Sequence, residues 1–283
     1  MARLEIDSKD LDPIQLKTYK AIKRVAVEKA VRFIIVGASA RDLVMHHAYG
    51  APIQRATLDI DLAVQVPDWA SFESIGDSLI HEGYTKTNLP HRLQGPHGAP
   101  IDILPFGSVE SGDSIIAWPP SGDVQMSVVG FQDALDNADW LTVNTELKLE
   151  LPVASPQGLT LLKLVAWSER DARTRRKDAA DIAYLASNYE NIPGQMERLY
   201  EQHEAVLELH GWDTRLAGAH VLGTEIADIA CDSTTAFLQR LLDDDLVANL
   251  VRDSGSSYGD ATTDIINALL VGLFGSEVTD VQN

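Results

Sequence analysis

Hydrophobic residues in the first half of the chain recur with two different spacings, and each spacing predicts one kind of element. Apolar residues at helical spacing predict helices, whereas short apolar runs and strict alternation predict strands. In chain order the elements are a helix at 12–29, a strand at 32–37, a helix at 39–50, a strand at 57–66, a helix at 67–83 and a strand at 100–107. This mixture of helices and strands predicts a mixed α/β domain.

The pattern changes at about residue 152. Residues 108–150 mix Gly, Ser and Pro with short strand-like runs. From Ser155 and Pro156, which suit the N-cap and first turn of a helix, nearly every segment has helical spacing. The later predicted helices lie at 177–188, 195–209, 213–230, 233–252 and 260–273. We therefore predict an α/β domain over 1–152 and an α-helical domain over 153–283.

The strand at 57–66 carries two carboxylates among its apolar residues. Asp59 and Asp61 are two positions apart, so both point to the same face of the strand. Two strand rises place their Cβ atoms roughly 6 to 7 Å apart. Like charges at that distance repel unless a positive charge lies between them. An exposed strand edge would tolerate the pair, and the other interpretation is a bound cation.

A third carboxylate, Asp102, lies between two isoleucines on the strand at 100–107. On a strand next to the first, it would complete a cluster of three acids. Carboxylate oxygens suit Mg²⁺ or Mn²⁺. Three acids around two such ions support nucleotidyl transfer, because one ion activates the attacking hydroxyl and the other neutralises the leaving pyrophosphate. Our hypothesis is that the missing positive charge is Mg²⁺, delivered with a nucleoside triphosphate.

A turn of small residues, Gly37, Ala38 and Ser39, connects the strand at 32–37 to the next helix. Small residues allow phosphate oxygens to approach the backbone, and a helix N-terminus presents free N–H groups to an anion. The alternative is a tight connection without a ligand. Arg41, which follows the turn, could reach the same phosphates or pair with an acid such as Asp42.

The first helix of the second half carries Lys163 among leucines. It is either a lysine extending to solvent from the helix edge or a contact to the triphosphate, where it would stabilise charge on the leaving group. Asp178 and Asp181 lie three positions apart, on one face of the next helix. They could hold Lys163 and nearby arginines, bind the nucleotide, or form a solvated acidic face.

The net charge of −19 disfavours broad, nonspecific binding to nucleic acid. A polyanionic substrate would need a local basic patch or metal ions. The dense basic cluster of the chain consists of Arg170, Arg173, Arg175, Arg176 and Lys177. It is either solvated surface or a contact to phosphates of RNA or of the triphosphate, and Arg55 is a further candidate. No apolar run approaches the roughly 20 residues that span a bilayer, and the first residues lack a signal pattern, so we expect a cytoplasmic protein without a membrane partner.

Together these motifs resemble a known group of enzymes. The order of "VGASARDL" (36–43), "DIDLAV" (59–64) and "PIDIL" (100–104) resembles the nucleotidyltransferases of the DNA polymerase β superfamily and the start of tRNA CCA-adding enzymes. "RATLDIDLAV" (55–64) is closer to the AbiEii-type nucleotidyltransferase toxins of bacterial toxin–antitoxin pairs. The helix lysine and "KDAAD" (177–181) are similar to the later AbiEii motif. Ala38 departs from the second glycine of the phosphate turn.

This resemblance implies a polymerase β-like fold and a toxin that transfers a nucleoside monophosphate from a triphosphate to RNA, with the tRNA 3′ end as the expected acceptor. Translation would stop, and a separate antitoxin encoded nearby would be a partner. It implies metal binding by Asp59 and Asp61 with help from Asp102, and triphosphate binding by the turn at 37–39 and by Lys163.

Two alternatives remain. One is a nucleotidyltransferase that modifies a small molecule, such as an aminoglycoside, or a protein hydroxyl, because the net charge of −19 suits a cationic substrate better than tRNA. The other is a nucleotide-binding module without catalysis. A binding-only site would not need Asp59, Asp61 and Lys163 together.

Overall fold

The computed structural model describes residues 1–53, 57–96, 98–241, 245–255 and 261–275. The chain divides into two compact units, Met1–Ser155 and Pro156–Asn283. The division lies three residues after the predicted end of the first domain at 152. The first unit is α/β and the second is helical, so the predicted fold class is confirmed.

The first unit is built on a mixed sheet of eight strands in the order β1-β9-β10-β2-β3-β6-β5-β4, and β7 and β8 form a separate pair. The strands are β1 Arg3–Asp7, β2 Arg32–Val36, β3 Ile60–Val66, β4 Thr85–Lys86, β5 Arg92–Gln94, β6 Pro100–Gly107, β7 Ile115–Ala117, β8 Gln125–Ser127, β9 Asp139–Asn144 and β10 Leu149–Val153. The central strands β2 and β3 are antiparallel, and β3 and β6 are parallel. Apolar side chains of these strands form the core, including Ile34, Ile60 and Ile101.

Helices cover this sheet, and aspartate side chains cap the N-termini of two of them. They are α1 Pro13–Glu28, α2 Gly37–Arg41, which continues as a π-helix over Asp42–Ala48, α3 Trp69–His81 and α4 Phe131–Asp136. The Asp12 carboxylate accepts the Ile14 N–H at 2.7 Å, and the Asp68 carboxylate accepts the Ser71 N–H at 2.7 Å. Each side chain therefore satisfies an N–H group that has no partner within its helix.

The start of one strand and the presence of another differ from the sequence predictions. β3 begins at Ile60 and not at residue 57, because the Asp59 N–H donates to the Thr57 hydroxyl at 3.2 Å and so turns away from the sheet ladder. β1, which we did not predict, pairs in parallel with β9. It has only two buried residues, Leu4 and Ile6, and its partner lies more than 130 residues away, so local periodicity gives it little signal.

The second unit consists of helices throughout its described residues. They are α5 Pro156–Glu169, α6 Arg175–Asn188, α7 Gln195–Gln202, α8 Glu204–Leu209, α9 Thr214–Ile229, α10 Asp232–Gln239, α11 Leu246–Ser254 and α12 Ala261–Phe274. The predicted helix at 195–209 is interrupted at His203, whose φ of −126° and ψ of 32° are not helical. We predicted one helix at 233–252, but the structure has two helices there, α10 and α11. Residues 242–244 lie outside the described residues. Among the described helices, none is both long and apolar enough to cross a bilayer.

Candidate active site

The three predicted carboxylates lie at one part of the sheet in the first unit. Asp61 on β3 stands directly opposite Asp102 on the parallel strand β6. Neighbouring strands are about 4.8 Å apart, and opposed residues point to the same face. Asp59 immediately precedes β3, two positions before Asp61. The structure therefore brings these three acids together, as the sequence predicts for a shared site.

An arginine that we did not identify from the sequence provides positive charge among these acids. Arg92 on β5 stands opposite Asp102 in the antiparallel β5–β6 pair. Its Nε lies 2.6 Å from Asp102 Oδ1, and its Nη2 lies 2.6 Å from Asp102 Oδ2. The same Nη2 is 3.7 Å from Asp59 Oδ2. The hydrogen bonds to Asp102, together with the charges of Asp102, Asp59 and Asp61, raise the pKa of the Arg92 guanidinium.

The turn at Gly37 lies against the Asp61 carboxylate. Gly37 has a φ of +67°, in the left-handed region that favours glycine. A Cβ atom at this position would lie 2.1 Å from Asp61 Oδ2, which is closer than van der Waals contact allows. The predicted phosphate turn and the predicted metal ligand are therefore neighbours, and only glycine fits between them.

The rest of this turn is more enclosed. Gly37 and Ala38 are half-buried, but Ser39 is 1% exposed and its hydroxyl donates to the Val36 carbonyl at 3.1 Å. The Ser39 side chain therefore serves the local backbone. Triphosphate binding by Gly37, Ala38 and Ser39 stays a prediction.

Arg41 is buried at 2% exposure, and its guanidinium pairs with Asp42 Oδ1 at 2.6 Å. Of our two interpretations, the structure shows the ion pair, while a phosphate contact by Arg41 stays a prediction. Arg55 lies outside the described residues.

In the second unit, Lys163 on α5 is fixed by two aspartates of α6. The Lys163 ammonium lies 2.9 Å from Asp178 Oδ1 and 2.8 Å from Asp181 Oδ2. Both carboxylates are only 1% exposed, so they do not form a solvated acidic face. Arg170 Nη1 adds a contact to Asp178 Oδ2 at 2.8 Å. Burial lowers the pKa of Lys163, but Asp181 and Asp178 more than offset this effect and the pKa is raised. Lys163 is therefore held as a cation.

The predicted basic cluster separates into two kinds of residue. Arg175 pairs with buried Asp253 at 2.6 Å, and its guanidinium lies 5.6 Å from the centre of the Trp167 ring. It therefore has a packing role within the second unit. Arg173, Arg176 and Lys177 are exposed, and in the described part of the chain none of them has an ion pair. Their contact with RNA stays a prediction.

The donor chemistry of the first unit suits a divalent cation of the magnesium type. All three side chains offer carboxylate oxygens, and glycine at position 37 leaves room beside Asp61 Oδ2. Within the described residues, however, no three acidic, histidine or cysteine side chains already converge on one ion position. Both oxygens of Asp102 are bonded to Arg92 instead.

Two of the solved structures that are similar to this chain have low sequence identity to it. The antibiotic-resistance factor ANT(2'')-Ia is 13% identical, with a TM-score of 0.37, over 71% of this chain and 99% of its own. The Thermotoga maritima CCA-adding enzyme, solved in complex with tRNA, is 14% identical, with a TM-score of 0.27, over 96% of this chain and 84% of its own. With TM-scores below 0.5, neither likeness supports a function for this chain.

No curated protein matches the sequence. The profile of one family, described as "Nucleotidyl transferase AbiEii toxin, Type IV TA system", matches residues 20–254. That range includes the three carboxylates, Arg92, the Gly37 turn and the Lys163 cluster. The chain belongs to the AbiEii nucleotidyltransferase toxin family.

Proposed function

We propose that this protein uses Mg²⁺ or Mn²⁺ and a nucleoside triphosphate to transfer a nucleoside monophosphate to an RNA hydroxyl, with the tRNA 3′ end as acceptor. The observation that carries the proposal is the pairing of Asp61 with Asp102 on adjacent strands, beside Asp59 and the Gly37 turn. Modification of that end would prevent aminoacylation and stop translation.

In this mechanism the acceptor oxygen attacks the α-phosphorus. The bond between the α-phosphorus and the oxygen that bridges it to the β-phosphate breaks. Pyrophosphate leaves, and the hydroxyl proton passes to Asp102. Asp59 and Asp61 would hold the divalent cation, which would supply a lowered pKa for the acceptor hydroxyl and positive charge for the leaving pyrophosphate. The backbone N–H groups of the turn at 37–39 hold phosphate oxygens.

Lys163 is proposed as the cation that stabilises the leaving pyrophosphate. An ammonium carries three N–H donors, and Asp178 and Asp181 account for two close contacts. Because both aspartates are buried, they hold the ammonium in one place at low conformational cost. A preorganised positive charge of this kind stabilises developing negative charge more effectively than a mobile one.

The RNA would be held by the exposed basic residues Arg173, Arg176 and Lys177, together with Arg55. They supply local positive charge that would attract RNA phosphates in a chain whose net charge is −19. The family description places its members in toxin–antitoxin systems, so a cognate antitoxin encoded nearby is the proposed protein partner.

The test is a transfer assay with purified protein, total tRNA, Mg²⁺ and each of the four α-labelled nucleoside triphosphates in turn. We expect label in tRNA with one or more triphosphates for the native protein and none for Asp61→Asn. Asp136→Asn is the matched control, because this half-exposed aspartate pairs with Arg32 away from the cluster. Label that persists in Asp61→Asn, or no label with any triphosphate, would contradict the proposal.

One observation favours a second acceptor class. The net charge of −19 would attract a cationic small molecule such as an aminoglycoside. The same assay with such an acceptor, or with a protein hydroxyl, separates the two, since label would then enter the added acceptor and not the tRNA.

A further inference from the structure

We infer that Arg92 is a resident counter-cation of the carboxylate cluster, which must release Asp102 when the metal–nucleotide complex binds. The inference rests on the proposed function and adds a regulatory property to it. Metal alone would bind weakly to the resting protein. The triphosphate would promote metal binding, because its phosphate oxygens would bind Arg92 in place of Asp102.

Strand pairing places Arg92 where it competes with a metal ion. The ladder hydrogen bond next to it runs from the Ile103 N–H to the His91 carbonyl at 2.8 Å. Arg92 and Asp102 are therefore a non-hydrogen-bonded pair of the antiparallel ladder, the kind in which opposed side chains approach most closely. The position of the guanidinium thus follows from the register of β5 on β6.

The contacts of Arg92 occupy carboxylates that we expect to bind metal. Its planar fork binds both oxygens of Asp102, and the shared Nη2 also attracts Asp59. Two of the three expected metal ligands are thereby directed toward a cation that belongs to the protein. A divalent ion at the same carboxylates would lie close to the positively charged Arg92 guanidinium and would be repelled by it.

The same side chain has another group to bind when substrate arrives. Arg92 is 32% exposed, on a strand of only three residues, so its guanidinium can turn without disturbing the core. Phosphate oxygens match the arginine fork as well as a carboxylate does. The phosphate oxygens of the triphosphate would therefore bind the Arg92 guanidinium. Asp102 would then be free to ligate metal or to accept the hydroxyl proton.

The experiment measures Mn²⁺ binding without nucleotide, by the electron paramagnetic resonance signal of the free ion. Arg92→Gln removes the charge and the fork, and Arg92→Lys keeps the charge but loses the fork. The matched control is Arg32→Gln, because Arg32 also pairs with an aspartate and its loss changes the net charge equally. Asp61→Asn reports whether the ion binds at the proposed cluster.

We expect Arg92→Gln to bind Mn²⁺ about tenfold more tightly than the native protein, as loss of a nearby like charge permits. Arg92→Lys should be intermediate, and Arg32→Gln should match the native protein. Adding a non-hydrolysable triphosphate should tighten Mn²⁺ binding more in the native protein than in Arg92→Gln. Structural damage would weaken metal binding and could not produce this gain.

Two results would overturn the inference, and they are distinguishable. If Asp61→Asn lowers Mn²⁺ affinity but neither Arg92 variant raises it, the metal site stands and the role of Arg92 is wrong. If Asp61→Asn leaves Mn²⁺ affinity unchanged, the proposed metal site is itself wrong. Should Arg92→Gln fail to fold, Arg92→Lys gives the same decision, because losing the bidentate fork alone should still tighten Mn²⁺ binding.

Discussion

At the scale of single residues, the positions of charges follow from the free energy of burying them. The Lys163 ammonium is tolerated at 13% exposure because Asp178 and Asp181 lie within 3 Å of it. The converse also holds, since the Lys163 ammonium lies within 3 Å of both buried carboxylates and Arg170 lies within 3 Å of Asp178. Removing one member of such a cluster leaves an uncompensated charge in a medium that solvates it poorly.

Asp181→Asn is therefore expected to destabilise the protein by about 1–3 kcal/mol, less than the loss of a sole partner would, because Asp178 still holds the Lys163 ammonium. The measurement is the free energy of unfolding in urea. The control is Asp228→Asn on the exposed side of α9, which should change the free energy of unfolding by less than about 0.5 kcal/mol. Similar losses in the two variants would show that the Lys163 cluster is not a buried unit.

A pair of histidines in the second unit makes the stability depend on pH. His210 Nε2 and His220 Nδ1 are 3.0 Å apart, so one ring donates and the other accepts. Burial lowers the pKa of both rings, and for His220 the neighbouring His210 and His203 lower it further. Near pH 6.5 the folded protein therefore binds fewer protons than the unfolded chain. This contribution to stability is complete above that pH and is lost as the pH falls below it.

We expect the midpoint of thermal unfolding to fall between pH 7.5 and pH 5.5, and to fall less in His220→Gln. His81→Gln is the control, because His81 is exposed on α3 and should leave the decrease unchanged. Calorimetric scans of the three proteins at both pH values measure the effect. An equal decrease in all three would assign the pH dependence to other groups.

At the scale of elements, two glycines allow α9 and α12 to pack closely in the second unit. A Cβ at Gly223 would lie 2.1 Å from the Leu269 carbonyl oxygen, and one at Gly272 would lie 1.9 Å from the His220 carbonyl oxygen. The two helix backbones touch at these glycines, so the absence of side chains sets how closely the helices approach.

Gly223→Ala should lower the free energy of unfolding by about 1–3 kcal/mol, because the added methyl group forces the two helices apart. Gly76→Ala is a matched change in α3, where a Cβ would meet nothing within 4 Å. There the higher helix propensity of alanine should stabilise the protein by up to about 1 kcal/mol. Opposite signs in urea unfolding are the expected result, and a loss in both variants would contradict it.

The elements also show what the sequence could predict. β2, β3 and β6 are buried apolar runs, and a carboxylate within such a run is conspicuous, so Asp61 and Asp102 could be identified. β5 has three residues and no periodicity. The role of Arg92 depends on the register of that short strand against β6, which is a tertiary property. The sequence also predicts, as one of three interpretations, that the two aspartates hold Lys163. The burial of this cluster depends on the packing of α5 on α6, which the sequence pattern does not give.

At the scale of the whole molecule, a net charge of −19 opposes binding to RNA, and the exposed basic residues must overcome it locally. Each phosphate contact to a single strand contributes about 0.7 to the slope of log affinity against log salt. A triple variant, Arg173→Ala with Arg176→Ala and Lys177→Ala, should therefore reduce that slope by about 2.

The control has the same net charge and replaces the exposed lysines Lys17, Lys20 and Lys86 by alanine. Filter binding to labelled tRNA at several salt concentrations gives both slopes. If the two triple variants reduce the slope equally, the effect is one of overall charge. Arg173, Arg176 and Lys177 are then not a binding site.

The turn at Gly37 has a practical consequence for producing a protein that is proposed to arrest the growth of its host. Alanine at this position would be strained at a φ of +67° and would displace the Asp61 carboxylate, while leaving the second unit untouched. Gly37→Ala should therefore be a harmless version of the protein that can be produced in quantity in living cells. Normal colony growth on inducing it, next to arrested growth with the native gene, is the expected outcome. Such a variant would keep Arg173, Arg176 and Lys177 and could serve to capture the RNA acceptor that we propose.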